Sequence, residues 1–106
     1  MLGKTNHIHF VGIGGIGMSG MAELLHNLGF TVTGSDMSES ERTNQLKKIG
    51  IDVNIGHKSS KVIDSDVLVY SSAVKKNNKE ILIANNNNIP VIRRAEMLGE
   101  LLKVKS

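Results

Sequence analysis

The sequence contains no cysteine and no tryptophan, one proline (Pro90), one tyrosine (Tyr70) and two phenylalanines (Phe10 and Phe30). Without cysteine there is no disulfide framework, no thiolate metal site and no cysteine nucleophile. Few aromatic rings are available for nucleobases to stack on. The basic residues never cluster beyond the pairs Lys47-Lys48, Lys75-Lys76 and Arg93-Arg94. A net charge of +3 dispersed in this way describes a solvated surface better than a nucleic-acid track. No apolar run approaches the roughly 18 residues needed to cross a bilayer, and residues 1–6 lack the basic and apolar regions of a secretory signal. The expectation is a cytoplasmic chain with neither a membrane nor a nucleic-acid partner.

The 106 residues fit one small domain, which buries roughly two-thirds of the surface its unfolded chain exposes. Its core must be aliphatic, with isoleucine, valine, leucine and methionine doing the packing. Ile8 to Val11 is short and β-branched and reads as a buried strand. From Ile16 onward the period changes: Met18, Met21, Ala22, Leu25 and Leu28 mark one face of a helix that Gly29 stops. Phe30 to Gly34 predicts a second strand ending at Ser35-Asp36. Ser38 and Glu41 have capping-box spacing for a second helix carrying Leu46 and Ile49. Ile51, Val53 and Ile55 alternate as a third strand, residues 56–64 read as loop with one helical turn after Ser60, and Val67 to Tyr70 is a fourth strand. Lys79 to Asn85 predicts a helix ended by the asparagine tract. Pro90 opens a fifth strand at Val91 and Ile92, and Ala95 to Leu102 a last helix with Met97, Leu98, Leu101 and Leu102 inward. The alternation predicts a Rossmann-like, three-layer α/β domain: a mostly parallel five-stranded sheet with helices on both faces.

Gly12-Ile13-Gly14-Gly15-Ile16-Gly17 matches G-x-G-x-x-G between a strand and a helix, the context that gives this motif meaning. In such a loop the first glycine allows a tight turn, the second lets a pyrophosphate approach the backbone, and the third lets helix pack on strand. Backbone N–H groups and the helix dipole hold the phosphate charge. Asp36 stands at the end of the second strand, where a carboxylate can accept from a ribose hydroxyl or cap the next helix. Gly34 would leave room for base or ribose. Ser71, Ser72, Ala73 and Val74 follow the fourth strand at the carboxyl edge, where the hydroxyls fit either a phosphate contact or a plain serine turn. His57 falls at the same edge. His7 and His9 share one strand face, but no third ligand completes a metal site. Arg93 and Arg94 suit an anion or the flank of the last helix. Tyr70 and the methionines read as core.

The run His9-Phe-Val-Gly-Ile-Gly-Gly-Ile-Gly-Met-Ser-Gly20 resembles the opening of the Mur ligase family of peptidoglycan synthesis, specifically its alanine-adding members. The resemblance continues through Gly34-Ser35-Asp36, Ile55-Gly56-His57, Ser71-Ser72-Ala73 and Ile89-Pro-Val-Ile-Arg-Arg-Ala-Glu-Met-Leu98, so it covers nearly the whole chain. It implies an N-terminal domain that holds the UDP part of UDP-N-acetylmuramate, a central domain that binds ATP and Mg²⁺, and a C-terminal domain that helps bind the amino acid. The full-length enzyme would be an ATP-dependent, amide-bond-forming ligase that passes through an acyl phosphate. Gly12, Gly14, Gly15, Gly17, Met18 and Ser19 would surround the pyrophosphate, Ser35, Asp36 and His57 the uridine, and Ser71 to Val74 would line the same cleft.

No G-x-x-x-x-G-K-[ST] phosphate loop is present. The resemblance therefore implies an isolated N-terminal domain that binds UDP-N-acetylmuramate without catalysing, with no catalytic residue, metal or cofactor of its own. A tripeptide-adding relative within the family, an NAD-binding module of an oxidoreductase or redox-sensing regulator, and a docking domain that binds no nucleotide are the competing readings.

Overall fold

The computed structural model describes residues 4–56 and 60–105. Five strands, β1 (His7–Val11), β2 (Thr31–Asp36), β3 (Asp52–Ile55), β4 (Val67–Tyr70) and β5 (Val91–Arg93), alternate with five helices. These are α1 (Met18–Asn27), α2 (Glu41–Lys48), α3 (Lys61–Asp64), α4 (Lys79–Asn86) and α5 (Arg94–Lys105). The strands lie in the order β3-β2-β1-β4-β5, and every neighbouring pair is parallel. Right-handed crossovers then dictate the layers. The chain moves outward from β1 to β3, which puts α1 and α2 on one face; it returns past β1 to β4 and β5, which puts α3 and α4 on the other. The buried sets follow this division, with Leu101 of α5 joining the first face.

Side-chain alternation along the strands gives the two faces different chemistry. Ile8, Phe10, Val32, Val67 and Val69 pack with Met18, Met21, Ala22, Leu25, Leu46 and Met97 in one aliphatic cluster. Val11 and Leu68 meet Val62, Ile81 and Ala84 on the other face. There His9, Thr33, Ser35 and Glu80 are also buried, so this layer is partly polar.

Several side chains depart from the sequence expectation. The capping box of α2 is built by Ser40 and Thr43, not by Ser38 and Glu41. Ser40 Oγ accepts from the Thr43 amide, and Thr43 Oγ1 accepts from the Ser40 amide at 2.8 Å. Thr43 takes the part usually given to Glu or Gln. The helix starts later because the turn at Ser38 is held by its amide donating to Asp36 Oδ1. Leu28 and Leu98 are exposed rather than inward, and Met37 stands 78 % exposed rather than in the core; the side chain of Leu102 lies outside the described residues. Gly34 leaves room for a neighbour within the fold, not for a ligand: a Cβ there would stand 2.9 Å from Ile13 Cβ.

His7 is half-buried, with Nδ1 3.1 Å from the Asp64 carbonyl and Nε2 2.7 Å from Thr33 Oγ1. Burial pushes its imidazole below the ordinary value of 6.5; the nearby His9 adds to this, against the opposing pull of the Asp64 carbonyl and of the Asp66 and Asp64 carboxylates. The unfolded chain therefore takes up a proton that the folded one resists. This contribution to stability is present above about pH 6.5 and fades as the pH falls below it. Urea melts at pH 7.5 and pH 5.5 should show a smaller pH-dependent loss for His7→Gln than for the unaltered chain; equal losses would contradict the assignment.

Candidate functional site

The sheet order reverses between β1 and β4, and open α/β sheets bind ligands outside the carboxyl ends of strands at such a point. The loop after β1 and the turn after β4 meet there. Gly12 has φ +81°, and a Cβ on it would lie 3.0 Å from Ser71 Cβ and 3.2 Å from Val74 Cγ2. The turn closes on itself, with the Ala73 amide donating to Ser71 Oγ and the Val74 amide to the Ser71 carbonyl. Both readings of the serines are thereby separated: Ser71 builds the turn, and Ser72 is exposed.

The hydrogen bonds of the glycine loop identify which amides are committed. Gly12 and Ile13 both donate to the Ser35 carbonyl, at 2.9 and 3.0 Å. Gly14 donates to Asp36 Oδ2 at 2.8 Å, Gly15 to the Gly12 carbonyl, and Met18 and Ser19 to the Gly15 carbonyl. Among the described residues, the amides of Ile16 and Gly17 meet no protein acceptor. Gly17, the N-cap of α1, is left-handed at φ +81° and brings no capping side chain. Two unclaimed donors and the positive end of a helix dipole thus stand at the mouth of the β1–β4 crevice, the arrangement that attracts an anion.

One cation joins them. A Cβ on Gly17 would touch Arg94, 3.2 Å from both Cζ and Nε. Among the described residues no carboxylate pairs with Arg94, whereas Arg93 lies 3.6 Å from Glu96 Oε1. The two arginines divide the roles between them, Arg93 flanking α5 and Arg94 reaching the loop.

Next to this cradle, Asp36, Met37, Ala73, Val74, Lys75, Asn77 and Asn78 line an open cavity of about 470 Å³. Lys75, Asn77 and Asn78 carry no motif that marks them in the sequence; only the position of the β4–α4 connection brings them in. A larger depression, about 670 Å³, follows residues of α2 such as Glu41, Arg42 and Gln45, away from the loop.

The structure gathers Gly12, Gly14, Gly15, Gly17, Asp36, Ser71, Ala73 and Val74 around the crevice, and separates others from it. Met18 is fully buried in the aliphatic core, because the first turn of α1 aims it at the sheet. Ser19 faces a small groove shared with Glu23, Arg42 and Gln45. The Ser35 side chain points to the opposite face, fully buried, and donates to Glu80 Oε1 at 2.6 Å. His57 lies outside the described residues. Gly14 also departs from its expected part: a Cβ there would stand 2.9 Å from both Asp36 Oδ2 and Thr43 Cγ2, so its closeness serves the protein's own carboxylate. Among the described residues no three His, Asp or Glu side chains are grouped to hold a metal.

A parallel sheet in this order, with a glycine loop at its switch point and unclaimed amides at a helix start, defines a Rossmann-like α/β domain. Comparison with known proteins narrows that class. A family profile described as "Mur ligase family, catalytic domain" matches residues 7–106. A UDP-N-acetylmuramate–L-alanine ligase from Rhodopseudomonas palustris (strain BisB5) is 59% identical over 99 residues, covering 93% of this chain and 21% of that protein. The crystal structure of UDP-N-acetylmuramate-alanine ligase MurC from Thermotoga maritima superposes with a TM-score of 0.88 at 38% identity, over 94% of this chain and 23% of that one. The UDP-N-acetylmuramate:L-alanyl-gamma-D-glutamyl-meso-diaminopimelate ligase from Neisseria meningitides gives 0.80 at 31% identity, over 91% and 31%. The chain belongs to the Mur ligase family. It spans about a fifth of the length of the curated relatives it matches.

The contact between Gly14 and Asp36 is testable by a double-mutant cycle. Gly14→Ala should cost about 1–3 kcal/mol through overcrowding, and Asp36→Ala about 1.5–3 kcal/mol through the lost charged hydrogen bond. Urea denaturation of the double variant should show less than the sum, because removing the carboxylate frees the space the new methyl needs. Strict additivity would contradict the contact.

Proposed function

We propose that this chain is the N-terminal, UDP-binding domain of an ATP-dependent ligase that joins L-alanine to UDP-N-acetylmuramate in peptidoglycan synthesis. The observation that carries the reading is the pair of unclaimed amides at Ile16 and Gly17, set beside Arg94 at the switch point. A pyrophosphate there would accept from both amides and meet the guanidinium, a charge-assisted geometry. The uridine would extend into the neighbouring cavity, between Asp36 on one side and Ala73, Val74, Asn77 and Asn78 on the other. Identity to the alanine-adding relatives supports that specificity over tripeptide addition.

ATP and Mg²⁺ belong to the activity of the whole ligase, and the residues present do not fit them. The sequence has no G-x-x-x-x-G-K-[ST] loop, and among the described residues no donor set for a metal is assembled. No step of phosphoryl or acyl transfer is assigned to these residues: their part is to bind and orient the nucleotide sugar. The carboxylate to be activated, ATP and alanine would be handled by other domains of the same enzyme. Among the described residues no helix is long and apolar enough to cross a membrane; a ligase of this reaction would act in the cytoplasm.

Calorimetric titration with UDP-N-acetylmuramate, UDP, uridine and NAD tests this directly. The UDP compounds should saturate and NAD should not. Arg94→Ala should weaken UDP about tenfold, equivalent to about 1.4 kcal/mol, while leaving uridine unchanged. Preferential binding of NAD would move the domain to the oxidoreductase class. Equal loss for UDP and uridine would remove Arg94 from the phosphate site.

A further inference from the structure

Beneath the cleft, on the α4 face of the sheet, runs a buried polar chain that nucleotide binding does not by itself require. Thr33 Oγ1 lies 2.7 Å from His7 Nε2 and 2.7 Å from His9 Nδ1. His9 Nε2 lies 3.0 Å from Glu80 Oε1, and Ser35 Oγ donates to the same oxygen at 2.6 Å. Neither His9 nor Glu80 has any exposed side-chain surface.

Hydrogen accounting orders this chain. His7 Nδ1 faces a carbonyl, which only accepts, so Nδ1 carries a hydrogen. In neutral His7 the Nε2 atom then accepts, and the Thr33 hydroxyl gives its single hydrogen to it. His9 Nδ1 must therefore donate to Thr33 Oγ1. A further proton, shared between His9 Nε2 and the Glu80 carboxyl, completes the sequence. A buried carboxylate is costly unless paired, and here it is paired with two different strands at once.

Those attachments lead to both walls of the cleft. Ser35, whose hydroxyl donates to Glu80, is the residue whose carbonyl holds the amides of Gly12 and Ile13. Glu80 sits in the first turn of α4, where its own amide donates to Asn78 Oδ1 at 2.9 Å. Asn78 lines the same cavity as Asp36.

We infer that Glu80 is a positioning residue for the nucleotide site: through His9 and Ser35 it ties the start of α4 to the middle of β1 and the end of β2. In this way it fixes the spacing between the Asn77–Asn78 wall and the glycine loop. It touches no ligand itself. The inference rests on the reading of the cleft as a UDP site.

The test compares Glu80→Gln, which keeps the shape but cannot hold the shared proton, with Val62→Ala. Val62 is buried in the apolar cluster on the same face, and its aliphatic side chain forms none of the hydrogen bonds of the polar chain. Amide hydrogen exchange at Gly12 and Ile13 and UDP affinity by calorimetry are measured for both, alongside the melting temperature. Glu80→Gln should accelerate exchange at Gly12 and Ile13 and weaken UDP about tenfold, whereas Val62→Ala should lower the melting temperature and leave both readouts unchanged. Wild-type values for both readouts in Glu80→Gln would overturn the inference, as would identical changes in Val62→Ala. Should Glu80→Gln not fold, Ser35→Ala removes one of the two ties and is judged by the same readouts. If the unaltered chain binds no UDP, the UDP reading fails, and the exchange measurement still decides whether Glu80 holds the loop.

Discussion

Parallel strands joined by right-handed crossovers leave one opening between their helical layers, where the chain reverses direction across the sheet. In this domain the opening falls between β1 and β4, and everything about the site follows from that position. The loop after β1 must turn sharply past the end of β4, which is why a glycine in a left-handed conformation lies against Ser71 and Val74. The following helix then begins at the opening, and the amides of Ile16 and Gly17 just before it meet no protein acceptor among the described residues. Had α3 and α4 continued on the side of α1 and α2, no such crevice would exist, whatever the loop sequence.

The two faces of the sheet do different work. The face under α1 and α2 is aliphatic and supplies most of the buried apolar surface, the dominant favourable term in folding. The other face spends part of its area on His9, Thr33, Ser35 and Glu80. Polar groups there have directional bonds, which fix relative positions of strands and helix more narrowly than dispersion contacts do. A domain that presents two walls to one ligand gains from such fixing, because binding costs less when the walls are already in place.

Much of the fold was legible because the local signals are strong. Five β-branched runs, a change of period after Ile16 and the glycines that follow the first and third strands and the first two helices give the strand and helix order. The cap of α2 was misread because Ser38-x-x-Glu41 and Ser40-x-x-Thr43 overlap, and only the Asp36 turn decides between them. The site was half legible. The glycine loop announces itself by spacing, whereas Ser35 was assigned to the cleft although strand alternation turns it to the opposite face from Gly34 and Ile13. Arg94 reaches Gly17 from the far end of the chain, and nothing local marks that contact. Glu80 looks in sequence like a glutamate suited to the helix dipole; its burial is visible only when α4 is laid on β1 and β2.

The claim on which the account turns is that Ile16 and Gly17 offer their amides to the ligand's phosphates. Two-dimensional amide NMR of the ¹⁵N-labelled chain, titrated with UDP, addresses those two groups individually. The account predicts that Ile16 and Gly17 show the largest shifts, in the direction of a stronger hydrogen bond, with smaller changes at Ala73, Val74 and Asn78. Shifts that leave Ile16 and Gly17 in place and gather instead on α2, around Arg42 and Gln45, would contradict it.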